Sequence, residues 1–280
     1  MRSGALGAMT RINDGIASLV AVLKRRVRTS GVTIGVCGID GSGKSTQVAL
    51  LCQALRRSGV PAVRLIHRMH AFAAIDYLAE SFTGDPFRYH PLIPATLRGF
   101  VLACDAVAEH SCRIARLVEM GRVVVLDRTA FCFSVYSEAY GADMTWISRV
   151  LELMPEPDVT ALIDVPVDVA HERLLRRRNK PIQSDEERPL LEMYRRVYLA
   201  RARLARASLV DGSGTRRAVL DRLGSSLAAA LDARFRVQAP GRPQPVFPSE
   251  RAVPQPPVVQ IGRYQRTYNA VHAEHLPIGR

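Results

Sequence analysis

Apolar positions along the chain follow two spacings. Val32 to Cys37 is a short apolar, β-branched run, and Ala62 to Ile66, Val123 to Leu126 and Val159 to Val165 are short runs in which apolar residues predominate. Such runs predict strands buried on both faces. The intervening segments have a helical period. Ser45 to Arg57 places Val48, Leu51, Cys52 and Leu55 on one face, and Ala95 to Glu119 is a long helical pattern that stops at Gly121. Two short helices are predicted within Phe131 to Leu153, one from Val167 to about Arg178, and one from Leu190 to Ala207. Ser208 to Val210 reads as the last strand and Arg216 to Phe235 as the closing helix. His67 to Pro94, broken by Gly84, Pro86, Pro91 and Pro94, reads as loop, and Asn179 to Pro189 as a mobile polar loop. Strands alternating with helices predict an α/β fold whose parallel sheet is covered on both faces. Ligands then bind beyond the carboxyl ends of the strands, where the segments after Cys37 and Leu126 lie.

The pattern divides the chain into an N-terminal amphipathic helical extension (1–30), a core domain (31–235) and a C-terminal tail (236–280). The extension centres on Ile12 to Leu23 and ends in Lys24, Arg25, Arg26 and Arg28, cations that favour the C-terminal end of a helix dipole. It reads either as a basic surface anchor or transit segment, or as a helix packed beside the first strand. In the tail no periodicity survives. Eight of the 17 prolines lie between Pro240 and Pro277, so an extended segment without its own core is expected, with Tyr264, Tyr268 and His272 as docking candidates.

The segment from Gly38 to Ser45 matches G-x-x-x-x-G-K-[ST] at every fixed position, with a strand before it and a helix after it. Its glycines let successive backbone N–H groups face phosphate oxygens at the positive helix end. Gly38, Asp40, Gly41, Ser42, Gly43, Lys44, Ser45 and Thr46 are therefore the candidate ATP-binding residues. Lys44 supplies a point charge to the β- and γ-phosphates. The Ser45 hydroxyl is a candidate Mg²⁺ ligand. Asp127, at the end of a buried strand beside this loop, is the second candidate metal contact, and Arg128 has the fork that spans two phosphates. The Arg-rich segment from Arg173 to Glu187 reads as a closing lid whose cations, among Arg173, Arg176, Arg177 and Arg178, neutralise the transferring group.

Composition changes this picture little. The chain has 280 residues, a length that accommodates one kinase-sized domain with extensions. Five scattered cysteines, at 37, 52, 104, 112 and 132, have no zinc spacing and suit a reducing cytoplasm. No apolar run reaches the roughly 18 residues of a membrane span, so no membrane partner is expected. The net charge of +13 invites a nucleic-acid partner, but no aromatic stacking pattern accompanies it, and none is expected.

The loop from Gly38 to Thr46, with Asp40 inside it, resembles the P-loop of thymidylate kinases. The resemblance continues in the same order through the helix ending at Leu102 to Asp105, the run from Gly121 to Arg128, Pro157 to Val165, the Arg-rich lid, and Tyr194 to Tyr198. It implies a P-loop NTPase three-layer sandwich with a five-stranded parallel sheet and a lid. The implied activity is ATP- and Mg²⁺-dependent phosphorylation of a dTMP-like nucleoside monophosphate, in a homodimer for which the long helix supplies a face. The alternatives are a kinase of the same fold acting on a modified nucleotide or another small molecule, and a nucleotide-binding regulatory protein. Asp40, Lys44, Ser45, Asp127 and Arg128 stand at the family's phosphate, magnesium and acceptor contacts, and Tyr136 where a tyrosine lies near the acceptor sugar. Two landmarks differ. His67, Arg68, Met69 and His70 replace Arg-Pro-Gly-Gly, and Asp105-Ala106 replaces Asp-Arg, whose arginine grips the acceptor phosphate. Leu102 stands where a phenylalanine stacks on the base. The missing contacts are worth about 1.5–3 kcal/mol for the phosphate and about 1–3 kcal/mol for the stacked ring. Arg98 or Arg68 is the candidate replacement cation, and Phe100 or Phe133 the replacement ring.

Overall fold

The computed structural model describes residues 14–27, 30–67, 70–177 and 182–237. In chain order they form α1 (Asp14–Arg26), β1 (Val32–Cys37), α2 (Lys44–Arg57), β2 (Ala62–Ile66), α3 (Phe72–Thr83) and α4 (Ala95–Glu109). A π-helical turn (His110–Ile114) joins α4 to α5 (Ala115–Glu119), which precedes β3 (Val123–Asp127), α6 (Ala130–Ala139), α7 (Met144–Leu151) and β4 (Val159–Asp164). Then come α8 (Val167–Leu175), a 3₁₀ turn (Ser184–Glu186), α9 (Arg188–Arg201), β5 (Ala207–Asp211) and α10 (Arg216–Val237).

The five strands form one all-parallel sheet in the order β2-β3-β1-β4-β5. Period-two alternation divides its side chains between two cores. Val123 and Val125 of β3 join the core under α1, α2 and α10. Val124 and Leu126 face the other way, onto Ile114 of the π turn. On that second face, α6, α8 and α9 bury Cys132, Val135, Ala170, Leu174, Leu191, Tyr194 and Tyr198 against Cys37, Leu162 and Val165. The P-loop α/β sandwich expected from the sequence is therefore present, with β1 central and its outgoing loop at the switch point of the strand order.

The predicted N-terminal helix is α1. Its apolar residues Ile16, Leu19, Val22 and Leu23 are buried in the same core as Val32 of β1, and Gly15 N donates to Asp221 Oδ1 of α10 at 2.9 Å. It packs chiefly against α10, within the core that also holds Val32 of β1.

The expected loop from His67 to Pro94 requires correction, because α3 lies within it. Phe72, Ile75 and Ala79 have helical spacing, and Gly84 closes the helix at φ 74°. Its start is capped by a side chain more than thirty residues away: Asp105 accepts from Ala71 N and Phe72 N, each at 2.8 Å. The punctuating prolines all follow the helix. The long helix of the sequence pattern is interrupted by the π turn, which turns both His110 and Ile114 inward. The tail beyond Val237, with Tyr264, Tyr268 and His272, lies outside the described residues, as do Arg28, Arg68 and Arg178.

Candidate active site

The loop from Gly38 to Lys44 leaves the central strand and wraps the N-terminus of α2. Two glycines permit the wrap. Gly41 has φ +80°, and a Cβ there would lie 2.2 Å from Ala170 O. Gly38 has φ +148°, and a Cβ there would lie 2.5 Å from Ile163 O. Only a residue without a side chain fits either position. Ser42 N donates to Ile39 O at 3.1 Å and closes the turn.

Lys44 is buried at the first turn of α2. Its Nζ donates to Asp40 Oδ1 at 2.7 Å and to Ile39 O at 3.3 Å. Arg128 reaches the same carboxylate oxygen from the far side of the site, donating through Nη2 at 2.7 Å. Its backbone adopts φ 86°, unusual for a residue with a side chain, and this turns the chain out of β3 toward the P-loop. Tyr136, on α6, donates to Asp40 Oδ2 at 3.2 Å, and its ring lies 5.0 Å from the Arg128 guanidinium. Asp40 thus joins Lys44 of the loop to Arg128 and Tyr136. Burial alone would raise its carboxyl, but Arg128 and Lys44 outweigh burial and hold it well below the ordinary carboxylate range. Burial would likewise lower Arg128, yet Asp40 holds it above its ordinary value. Asp40 and Arg128 therefore face each other as a charged pair near neutral pH.

Asp127 ends β3 opposite Val36 of β1 and Ile66 of β2. It is 4% exposed, and Arg64 Nη2 donates to its Oδ2 at 3.2 Å. Ser45 and Thr46 are exposed on the first turn of α2.

The described lid arginines, Arg173, Arg176 and Arg177, all have partners within the chain. Arg173 lies beneath the P-loop. It donates through Nη1 to Ser42 O at 3.1 Å and Gly41 O at 3.5 Å, and through Nη2 to Gly212 O, after β5, at 3.0 Å. Arg177 makes a two-pronged pair with Glu186 at 3.0 and 2.8 Å, and Arg176 pairs with Glu172. A side chain already bonded to backbone carbonyls braces the loop. α9 is anchored to β4 by Arg195, which donates from Nε and Nη2 to both oxygens of Asp164 at 2.7 and 2.8 Å.

Of the residues expected at the acceptor side, Asp40, Arg128 and Tyr136 come together, whereas Phe133, Leu102 and Arg98 lie apart from them. Phe133 is 1% exposed, and its ring meets His67 edge-on at 5.1 Å, so it is part of the core and offers no open face to a base. Leu102 is partly buried in the same cluster, and Phe100 is 38% exposed. Arg98 is buried. Its Nε donates to Ile93 O at 3.0 Å, it contacts His90 Nδ1, and it lies 5.4 and 4.8 Å from the rings of Tyr89 and Tyr140. Among the described residues no hydrogen bond or ion pair links Arg98 to the P-loop, Asp127 or Arg128.

Sequence reasoning missed Arg64, His90 and Tyr140. An arginine inside the buried run Ala62 to Ile66 needs an acid partner, which is a usable signal for Arg64. Nothing local marks the other two.

The family model for thymidylate kinase matches residues 36–221. This chain belongs to the thymidylate kinase family. The thymidylate kinase of Bordetella pertussis is 34% identical over 184 residues, 63% of this chain and 84% of the relative. Probable thymidylate kinase 1 of Saccharolobus solfataricus is 28% identical over 188 residues, 67% and 92% of the two chains. The probable thymidylate kinase of Pyrobaculum aerophilum is 27% identical over 187 residues, 64% and 88% of the two chains. This family member is an ATP-dependent nucleoside monophosphate kinase. No helix among its described residues is long and apolar enough to cross a membrane.

Proposed function

We propose that this kinase transfers the γ-phosphoryl group of ATP to dTMP, giving dTDP and ADP. The observation that carries the reading is Asp40, whose carboxylate joins Lys44 of the P-loop to Arg128 and Tyr136. The P-loop backbone and Lys44 hold the donor phosphates. Arg128 lies between donor and acceptor and steadies the transferring group. Asp40 and Tyr136 present an acceptor oxygen and an aromatic wall to the deoxyribose. An oxygen of the dTMP phosphate attacks the γ-phosphorus as the bond to the β-bridging oxygen breaks, and the electron pair leaves on ADP. No general base is required, because the attacking phosphate is already ionised.

Magnesium fits this site as a companion of the nucleotide. One hydroxyl, Ser45, and one strand-end carboxylate, Asp127, are what an ion that keeps waters and takes phosphate oxygens requires. Among the described residues no group of three or more His, Cys, Asp or Glu side chains forms a resident metal site. When bound, the ion neutralises charge on the β- and γ-phosphates. The cytoplasm, where ATP and dTMP are available, is the compartment that suits this activity. Leu97 and Phe100, 52% and 38% exposed on α4, support the homodimer expected of the long helix, which light scattering tests.

The test is ADP release from Mg·ATP with dTMP, dUMP and other monophosphates, with products identified by mass. Conversion of dTMP is expected, with Lys44→Ala slower by about a hundredfold or more. Equal turnover by Lys44→Ala, or failure to convert dTMP, overturns the reading.

A further inference from the structure

One oxygen of Asp40 holds both cations of the loop region. Oδ1 accepts from Lys44 Nζ and from Arg128 Nη2, each at 2.7 Å, while Oδ2 accepts from Tyr136 at 3.2 Å. All three charged side chains are largely withdrawn from water, so solvent screens them little.

Lys44 is the cation that a P-loop turns toward the β- and γ-phosphates. Its ammonium has three donors. One goes to Asp40 Oδ1 and one to Ile39 O at 3.3 Å, which leaves one for phosphate. Both contacts come from inside the loop, since Ile39 and Asp40 follow directly on Gly38. The phosphate-binding motif leaves the position of Asp40 open, so the loop needs no anion there to form. An anion at that point opposes a second one. A donor phosphate has to share Lys44 with a carboxylate that Arg128 and Lys44 keep ionised.

We propose that Asp40 is an internal competitor for Lys44, which holds donor affinity down and makes the binding of donor and acceptor cooperative. When donor phosphates draw Lys44 away, Asp40 loses one of its two cations and Oδ1 regains a lone pair. Arg128 and Tyr136 still hold the carboxylate in place, now as a stronger acceptor for a deoxyribose hydroxyl. In the other direction, a hydroxyl bonded to Asp40 weakens its grip on Lys44 and so favours the donor. Linkage makes the two effects equal. The donor half of this inference rests on the P-loop alone, and the acceptor half rests on the dTMP reading above.

The experiment measures dissociation constants by calorimetry for the Mg²⁺ complex of a non-hydrolysable β,γ-imido ATP analogue and for dTMP, each alone and with the other saturating. Wild type, Asp40→Asn and Asp40→Ser are compared, each checked for folding by thermal melting. Asp40→Asn is expected to bind the analogue about tenfold more tightly and dTMP about tenfold more weakly. Opposite signs separate this role from a structural one, because a loosened site would weaken both ligands. The affinity that each ligand lends the other should be greater in wild type than in Asp40→Asn by about threefold or more. Asp40→Ser decides the same points if Asp40→Asn does not fold. Analogue binding that is unchanged or weaker in the folded variants overturns the inference, and so does equal coupling in wild type and variant. A wild type that binds the analogue but ignores dTMP overturns the dTMP reading, while the analogue alone still decides the competition for Lys44.

Discussion

His67 follows β2 at the carboxyl edge of the sheet, is 6% exposed, and has no hydrogen-bond partner among the described residues for either ring nitrogen. A buried donor or acceptor left unpaired costs about 1–3 kcal/mol. The substitution His67→Phe removes both nitrogens and keeps an aromatic ring against Phe133 at the edge-on contact of 5.1 Å. The larger ring costs about 1–3 kcal/mol in packing. A net gain near 2 kcal/mol is therefore expected at pH 7.5. For a domain of this size that raises the melting temperature by about 4–8 °C. A second effect depends on pH. Burial, aided by His110 and Arg113, lowers His67 from 6.5 to about 4. The unfolded chain then takes up the proton first, so wild-type stability is present above pH 6.5 and is lost as pH falls toward 4. That gap is worth about 3 kcal/mol at most. The advantage of the variant should therefore grow as pH falls, read from urea denaturation at pH 7.5, 6 and 5. Turnover of dTMP should fall in the same protein, because His67 lies beside Asp127 at the carboxyl end of the sheet, where ligands bind in such folds. A variant less stable than wild type at pH 7.5, or one with the same pH slope, would refute the reasoning. Its nitrogens would then have partners such as ordered water.

Two other expectations are independent of the first. Asp76, on α3, is pushed up to about 7 by burial and by Asp185, so its contribution to stability is present at low pH and lost as pH rises from 3.8 through 7. Asp76→Asn should therefore stabilise the protein at pH 8.5, by at most about 4 kcal/mol, and not at pH 4; denaturation midpoints at the two pH values check this. Arg173→Ala removes the three carbonyl contacts that tie the P-loop to the segment after β5. KM for ATP should rise about tenfold, with KM for dTMP changed less than about twofold, a split that steady-state kinetics resolves.

The unequal legibility of the two halves of the site has a physical origin. The donor half is one contiguous segment, in which glycines, lysine and hydroxyl act through local backbone geometry and the helix that follows. Its chemistry could be read from Gly38 to Thr46 before any contact was known. The strands were legible because short, predominantly apolar runs between helical segments leave few alternatives to a parallel sheet buried on both faces. The proposed acceptor half joins Asp40 to Arg128 and Tyr136 across loops that no spacing encodes. Phe133 and Arg173 have the residue types expected of a stacking ring and a lid cation, yet one is buried in the core and the other braces the P-loop. Helix α3 was hidden because its cap, Asp105, comes from another helix. The sequence alone determined the sheet, the phosphate loop and the family, since these rest on local propensity and contiguous motifs. Only the tertiary structure decided which cations and rings meet one another, because burial and long-range hydrogen bonds assign each side chain its partners.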